Sequence, residues 1–138
     1  MKIIMLAGEP NTGKTTTLNL LYNQLTDNGR KNIVKKRKRI GNEGKGDFQC
    51  VVGCGGKSAA IFSKGDVLSG ITNAILQYAH CDILILAYNT CFSAKLDEAV
   101  RESGRHRIIR KIAPTDGEQD RVIGEIKRQL SWEGVAVP

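Results

Sequence analysis

Residues 8–15 read Gly8-Glu9-Pro10-Asn11-Thr12-Gly13-Lys14-Thr15 and match G-x-x-x-x-G-K-[ST] at every fixed position. The residue types suit the holding of a phosphorylated anion. Glycines allow positive φ and let the backbone come close to oxygen atoms. Successive N–H groups can then line a concave nest. A helix opening near Gly13 turns its positive dipole end toward the same point. Lys14 is a mobile point charge for outer phosphates. Thr15 supplies a hydroxyl for Mg²⁺, a hard ion that takes oxygen ligands.

The flanking elements are those such a loop needs. Residues 2–7 (KIIMLA) form a near-continuous apolar run, the pattern of a strand covered on both faces. Leu18, Leu21, Tyr22 and Leu25 then fall on one helical face, with a stop expected near Asn28-Gly29. Ile33-Val34 starts a second strand. Phe48–Val52 and Ser58–Phe62 flank glycines and predict a hairpin. A helix over 67–79, a strand over 83–87 (ILILA) and a helix capped by Ser93 and stopped at Gly104 follow. A strand over 107–113 closes at Pro114, and Thr115 and Glu118 have capping-box spacing before a last helix. Strands alternating with helices predict an α/β domain with a mostly parallel sheet. Ligands then belong beyond the carboxyl ends of the strands.

The segment resembles the Walker A loop of the P-loop NTPase superfamily over residues 3–28, strand and helix included. The remainder resembles it only in its α/β alternation. The resemblance implies a three-layer P-loop NTPase-like domain, with about five to six strands and helices on both faces. It implies a nucleoside triphosphate and Mg²⁺ bound by Gly13, Lys14 and Thr15, with Thr16 on an inner phosphate. Lys14 would then be a catalytic residue as well as a ligand. Guanine-specific members usually show N-K-x-D, and Asn89-Thr90-Cys91-Phe92 lacks its Lys and Asp. ATP is therefore expected ahead of GTP. Partition-type relatives carry a Lys directly after the first Gly, where this chain has Glu9.

The carboxylate that should orient the Mg²⁺ shell is harder to place. ILILA is followed by Tyr88-Asn89, and Asp82 lies at its wrong end. Ser58–Phe62 leads into Ser63-Lys64-Gly65-Asp66, so Asp66 can reach the metal directly or through water and join Lys14 in catalysis. Its alternative is to cap the helix from Val67. Asp47, at the mouth of a loop, is a weaker choice. Arg101, Arg105 and Arg107 are candidates for a lid over the phosphates, although surface pairing explains them better.

The chain has 138 residues and a formal charge of +7 from 21 Lys/Arg against 14 Asp/Glu. Arg30 to Arg39 (RKNIVKKRKR) holds seven basic residues and no acidic one. The fourteen basic residues elsewhere match the fourteen acidic ones, so a uniformly basic nucleic-acid-coating fold is not indicated. If the run is a strand, charges on both faces require an edge position. Its possible partners are a phosphorylated substrate, nucleic acid or an acidic protein; its bland role is solubility.

Length and composition fit a single domain over 1–138. No run approaches 18 apolar residues, so no membrane helix is expected. Four Cys and no targeting segment suggest a reducing, cytoplasmic setting with free thiols rather than a zinc site. His80 and His106 have no ligand pattern around them, and Trp132 is placed to pin the tail. The resulting expectation is a small P-loop NTPase that hydrolyses or transfers the γ-phosphoryl. The alternative is a nucleotide-dependent switch whose basic segment contacts nucleic acid or an acidic partner.

Overall fold

The computed structural model describes the backbone of residues 1–27, 33–41, 46–54, 56–135 and 137, with the side chains of all but 33–35 and 54 among these. The expected helix stop at Asn28-Gly29, Arg30 and Lys31 of the basic window, and loop residues 42–45 lie outside the described residues.

The elements run β1 (Lys2–Gly8), α1 (Lys14–Leu25), β2 (Ile33–Arg39), β3 (Phe48–Cys54), β4 (Lys57–Phe62), α2 (Leu68–Gln77), β5 (Ile83–Asn89), α3 (Ser93–Ser103), β6 (His106–Arg110) and α4 (Asp116–Trp132). They build one six-stranded sheet in the order β2-β3-β4-β5-β1-β6. Only β3 runs against the others, antiparallel to both β2 and β4. The fold is thus α/β with a mostly parallel sheet, as expected.

The continuous apolar runs are buried on both sides because side chains alternate across a strand. Ile4, Leu6, Ile83, Ile85 and Ala87 pack with Leu18, Leu21 and Leu25 of α1 and Val122, Ile126 and Leu130 of α4. Ile3, Met5, Ala7, Leu84 and Leu86 pack on the other face with Ile71 and Ile75 of α2 and Leu96 and Val100 of α3. Helices therefore cover both faces.

The connections decide where a ligand can sit. After β1 the chain passes through α1 to the β2 edge. After the neighbouring β5 it passes through α3, on the opposite face, to β6. The carboxyl ends of β1 and β5 thus open a crevice between diverging connections, the usual ligand position in open α/β sheets. Thr90 Oγ1 spans it, donating to Glu9 Oε1 at 2.6 Å.

Several local expectations are refined. β5 continues to Asn89, and β6 stops at Arg110, three residues before Ala113. Ser93 is the first helical residue rather than the cap, and its hydroxyl donates back to Thr90 O at 2.8 Å. Thr115 does cap α4, accepting from Glu118 N–H. Trp132 does not pin the tail: it is 71% exposed, two residues past Leu130 and so on the far side of the helix. Val135 does that work, buried, with its N–H donating to Leu130 O at 3.0 Å.

Candidate functional site

β1 delivers Gly8 to the carboxyl edge, and α1 starts six residues later at Lys14. Between them Asn11 (φ 65°) and Gly13 (φ 80°) adopt left-handed backbone, which turns the loop back over the helix. Gly8 answers a different demand. A Cβ there would lie 2.7 Å from both Lys111 O and Thr12 Oγ1. Thr12, itself buried, donates its hydroxyl to Glu9 O at 2.9 Å and braces the turn.

The helix entry is electropositive and uncapped. No side chain caps α1, and its first turn holds no acidic residue. Among the described residues, nothing accepts from the N–H groups of Gly13, Lys14, Thr15 or Thr16. Lys14 is only 8% exposed, and its ammonium donates to Gly8 O at 3.2 Å and Glu9 O at 2.8 Å. Burial pushes its pKa down, Glu9 opposes this, and nearby Lys111 adds to it. No carboxylate among the described residues forms an ion pair with it. A buried cation beside four open N–H groups is a setting that an anion would stabilise.

These groups face a cleft of about 300 Å³. Pro10, Asn11, Gly13, Lys14, Thr15 and Thr16 line one side, and Asp47, Ser63, Gly65, Asp66 and Asn89 the other. The loop residues and Asp66 singled out in the sequence are therefore brought together, with Gly8, Glu9 and Thr12 acting from behind or beside.

The opposite wall holds an oxygen cluster. Thr15 Oγ1 donates to Asp47 Oδ1 at 2.7 Å, and Ser63 Oγ donates to the same oxygen at 3.1 Å. Ser63 Oγ also accepts from Phe48 N–H, and Ser63 N–H donates to Phe48 O. Asp47 is 5% exposed. Asp66 is more open, its carboxylate 3.3 Å from Lys64 Nζ. It does not act as the cap of α2, because Val67 takes that position without a side-chain bond. The segment carrying it is pinned to β5. Asn89 N–H donates to Gly65 O at 2.9 Å, and a Cβ at Gly65 would meet Ala87 O at 2.6 Å.

Asp47 outranks its sequence signal for a topological reason. In a parallel sheet the carboxylates expected at this edge are those that follow strands. β3 is antiparallel, so its amino end lies at that same edge, and Asp47 immediately precedes it. Lys111 and Ser63 were not singled out at all. A lysine near the carboxyl end of the expected strand RIIRKIA is the available signal for the first.

β2 is an edge strand carrying the basic run, with a register shift between Val34 and Lys36. Arg37 lies over the rings of Tyr22 (4.2 Å) and Phe48 (4.3 Å). It also donates to Asn19 Oδ1 at 3.0 Å, while Asn19 Nδ2 donates to Thr15 O and Gly46 O. Lys36 and Lys38 alternate onto the other face, in a groove with Gln77 and His80.

The arginine lid is not formed. Arg101 pairs with Asp97 on α3, and Arg105 pairs with Glu133 at the amino edge of the sheet, opposite the loop. Cys50, Cys81 and Cys91 are free thiols. Among the described residues, no group of three or more His, Cys, Asp or Glu is placed to hold a metal. Nor is any helix among them long and apolar enough to cross a membrane.

Compared with known proteins, the chain matches no protein-family model, no curated protein and no solved structure. The functional reading therefore rests on its own geometry.

Proposed function

We propose that the chain is a small cytoplasmic P-loop NTPase that binds a Mg²⁺–nucleoside triphosphate, ATP ahead of GTP, at Gly8–Thr16. The observation that carries this is Lys14: a buried ammonium with no carboxylate partner among the described residues, beside four N–H groups for which none of those residues is an acceptor, all at one cleft. A triphosphate supplies the missing negative charge. On binding, Lys14 would leave the carbonyls of Gly8 and Glu9 and donate to the outer phosphates, while the Gly13–Thr16 amides hold the inner ones.

The donor set suits Mg²⁺. Thr15 hydroxyl, Asp47 carboxylate and Ser63 hydroxyl are hard oxygens gathered by hydrogen bonds to Asp47 Oδ1, with Asp66 in the same cleft. Fewer than three acidic or imidazole groups is compatible with an ion that keeps several waters and shares phosphate oxygens. When bound, Mg²⁺ neutralises charge on the phosphate oxygens. Thr15 and Asp47 would be the protein groups to hold it, and Asp66 would be the candidate to act through water. Catalysis by the chain itself is then chiefly electrostatic: Lys14 and the loop amides stabilise charge on the γ-phosphoryl as it is hydrolysed or transferred.

A second reading, a nucleotide-dependent switch, draws support from one contact chain. Arg37 of the basic edge strand bonds Asn19, which bonds the Thr15 and Gly46 carbonyls. Occupancy of the loop would be felt at that edge, where Lys36–Arg39 would meet nucleic acid or an acidic partner.

Thermal melts with Mg-ATP and Mg-GTP test the site. Saturating nucleotide at a hundred times its Kd stabilises by about 2.7 kcal/mol. Lys14→Ala should remove most of that gain. Absence of any shift at millimolar nucleotide would overturn the proposal. Phosphate release with and without single-stranded DNA separates the two readings: stimulation by DNA favours the switch.

A further inference from the structure

Lys111 follows β6 and is 1% exposed, among the largest fully buried side chains of the protein. Its backbone is clamped beneath the loop. Lys111 N–H donates to Ala7 O at 2.8 Å, and its carbonyl oxygen touches the space beside Gly8. Its ammonium donates to Thr12 O at 2.7 Å and to Ala113 O. No carboxylate among the described residues pairs with it. Burial lowers its pKa, with Glu118 opposing and Arg121 adding to the shift. A cation so enclosed, touching only carbonyls, is a costly thing to build into a fold. A neutral side chain of similar length would fill the same space.

The geometry of the peptide explains what the charge does there. The unit joining Thr12 to Gly13 is planar and trans, so its C=O and N–H point in opposite directions. Lys111 draws Thr12 O inward, below the loop. The Gly13 N–H is thereby turned outward, toward the cleft. Nothing among the described residues accepts from it. Lys111 Nζ also lies 3.5 Å from the position a Cβ would take on Gly13, so its charge sits close beside that residue.

We infer that Lys111 is a positioning residue for the phosphate site: it orients the Thr12–Gly13 peptide so that the Gly13 N–H donates to a bound di- or triphosphate, and it adds a fixed positive charge beneath the anion. Lys14 is the mobile cation and Lys111 the fixed one. The inference rests on the phosphate-binding reading of Gly8–Thr16 and extends it to a residue ninety-nine positions away from its contact at Thr12.

The test is an amide ¹H–¹⁵N titration of the whole protein with Mg-ADP, together with calorimetric Kd values. In the unaltered protein the Gly13 amide proton should move downfield on binding, along with those of Thr15 and Thr16. Lys111→Met keeps the buried aliphatic stem and removes the charge and the donor. Its Kd should rise about tenfold, the usual effect of one charge-assisted hydrogen bond. The Gly13 shift should be lost while the Thr15 shift persists, a separation that general destabilisation would not produce. A folded Lys111→Met protein with unchanged Kd and unchanged Gly13 shift overturns the inference. So does a titration of the unaltered protein in which Thr15 and Thr16 move and Gly13 does not. That second result decides the matter even if the variant fails to fold, and it leaves nucleotide binding standing. If no loop amide moves with Mg-ADP or Mg-ATP, the phosphate-binding reading itself falls.

Discussion

Two carboxylates face the same cleft, and replacing each by its amide separates their roles. Asp47→Asn is the informative change. Asp47 is nearly enclosed and accepts from Thr15 at 2.7 Å and from Ser63 at 3.1 Å on one oxygen. Asn keeps an acceptor of the same shape but removes the charge. Each bond then falls from charge-assisted to neutral, a loss of about 1 kcal/mol apiece. Relief from holding a carboxylate out of water offsets part of this. A net cost of about 1–2 kcal/mol without ligand, or about 3–8 °C in Tm, is expected for a chain of this size. The larger effect should appear with metal. Loss of a group that ligates or orients a metal ligand typically costs about 10–100-fold in affinity, so Mg²⁺ should improve ATP binding far less in Asp47→Asn. Asp66→Asn weakens an exposed pairing with Lys64, worth about 0–1 kcal/mol, and should leave the Mg²⁺ effect largely intact. Calorimetric titration of ATP with and without Mg²⁺, on both variants, measures this. Were Asp66→Asn to abolish the Mg²⁺ effect and Asp47→Asn to spare it, the argument from burial and hydrogen bonding would be refuted, and Asp66 would be the metal carboxylate.

Other consequences can be measured on the free protein. Gly8→Ala places a methyl 2.7 Å from Lys111 O and Thr12 Oγ1, and should lower the unfolding free energy in urea by about 1–3 kcal/mol; an unchanged midpoint would show that the loop can yield. Lys14 and Lys111 have folded-state pKa values below 10.5, so the unfolded chain binds more protons between those values. Their burial cost is in full force below the folded pKa and fades as pH rises toward 10.5. Lys111→Met should therefore gain less stability than the unaltered protein over that alkaline window in parallel melts. Glu118 moves the opposite way: the Arg121 side chain, then the Ile112 N–H, hold its carboxyl down to about 2. Its contribution is present above 4.5 and lost as pH falls toward 2, so Glu118→Gln should flatten the acid side of the stability profile. A carboxyl titration near 4.5 for Glu118 by NMR would contradict this.

Much of the architecture was legible because its signals are local. The runs Ile3–Ala7 and ILILA are apolar at every position, the pattern of a strand covered on both faces, and β1 and β5 are the central pair about the crevice. The 3.6-residue spacing of Leu18, Leu21 and Leu25 placed α1, and the Thr115–Glu118 spacing placed the start of α4. The basic run was legible as either a strand stopping near Val34–Lys36 or an edge strand, since charge on both faces cannot be buried; β2 runs on to Arg39 at the edge. Arg37 shows the limit of that reasoning. Its guanidinium lies over Tyr22 and Phe48, a contact whose partners are far apart in the chain and which charge counting cannot foresee.

The amino-acid sequence by itself determined the loop. Gly8, Gly13, Lys14 and Thr15 are adjacent in the chain, so their chemistry needs only the strand before and the helix after, both written in short-range periodicity. What faces that loop was decided by tertiary structure. Asp47 reaches Thr15, Ser63 reaches Asp47, and Lys111 reaches Thr12, all from positions distant in the chain. Whether they do so depends on strand order and direction: on β3 running antiparallel, which puts its first residue at the carboxyl edge, and on β6 pairing with β1, which brings Lys111 beneath Gly13. Hydrophobic patterning selects strands and helices but is indifferent to which strand neighbours which. Packing of the two faces supplies that information, and with it the second wall of the cleft.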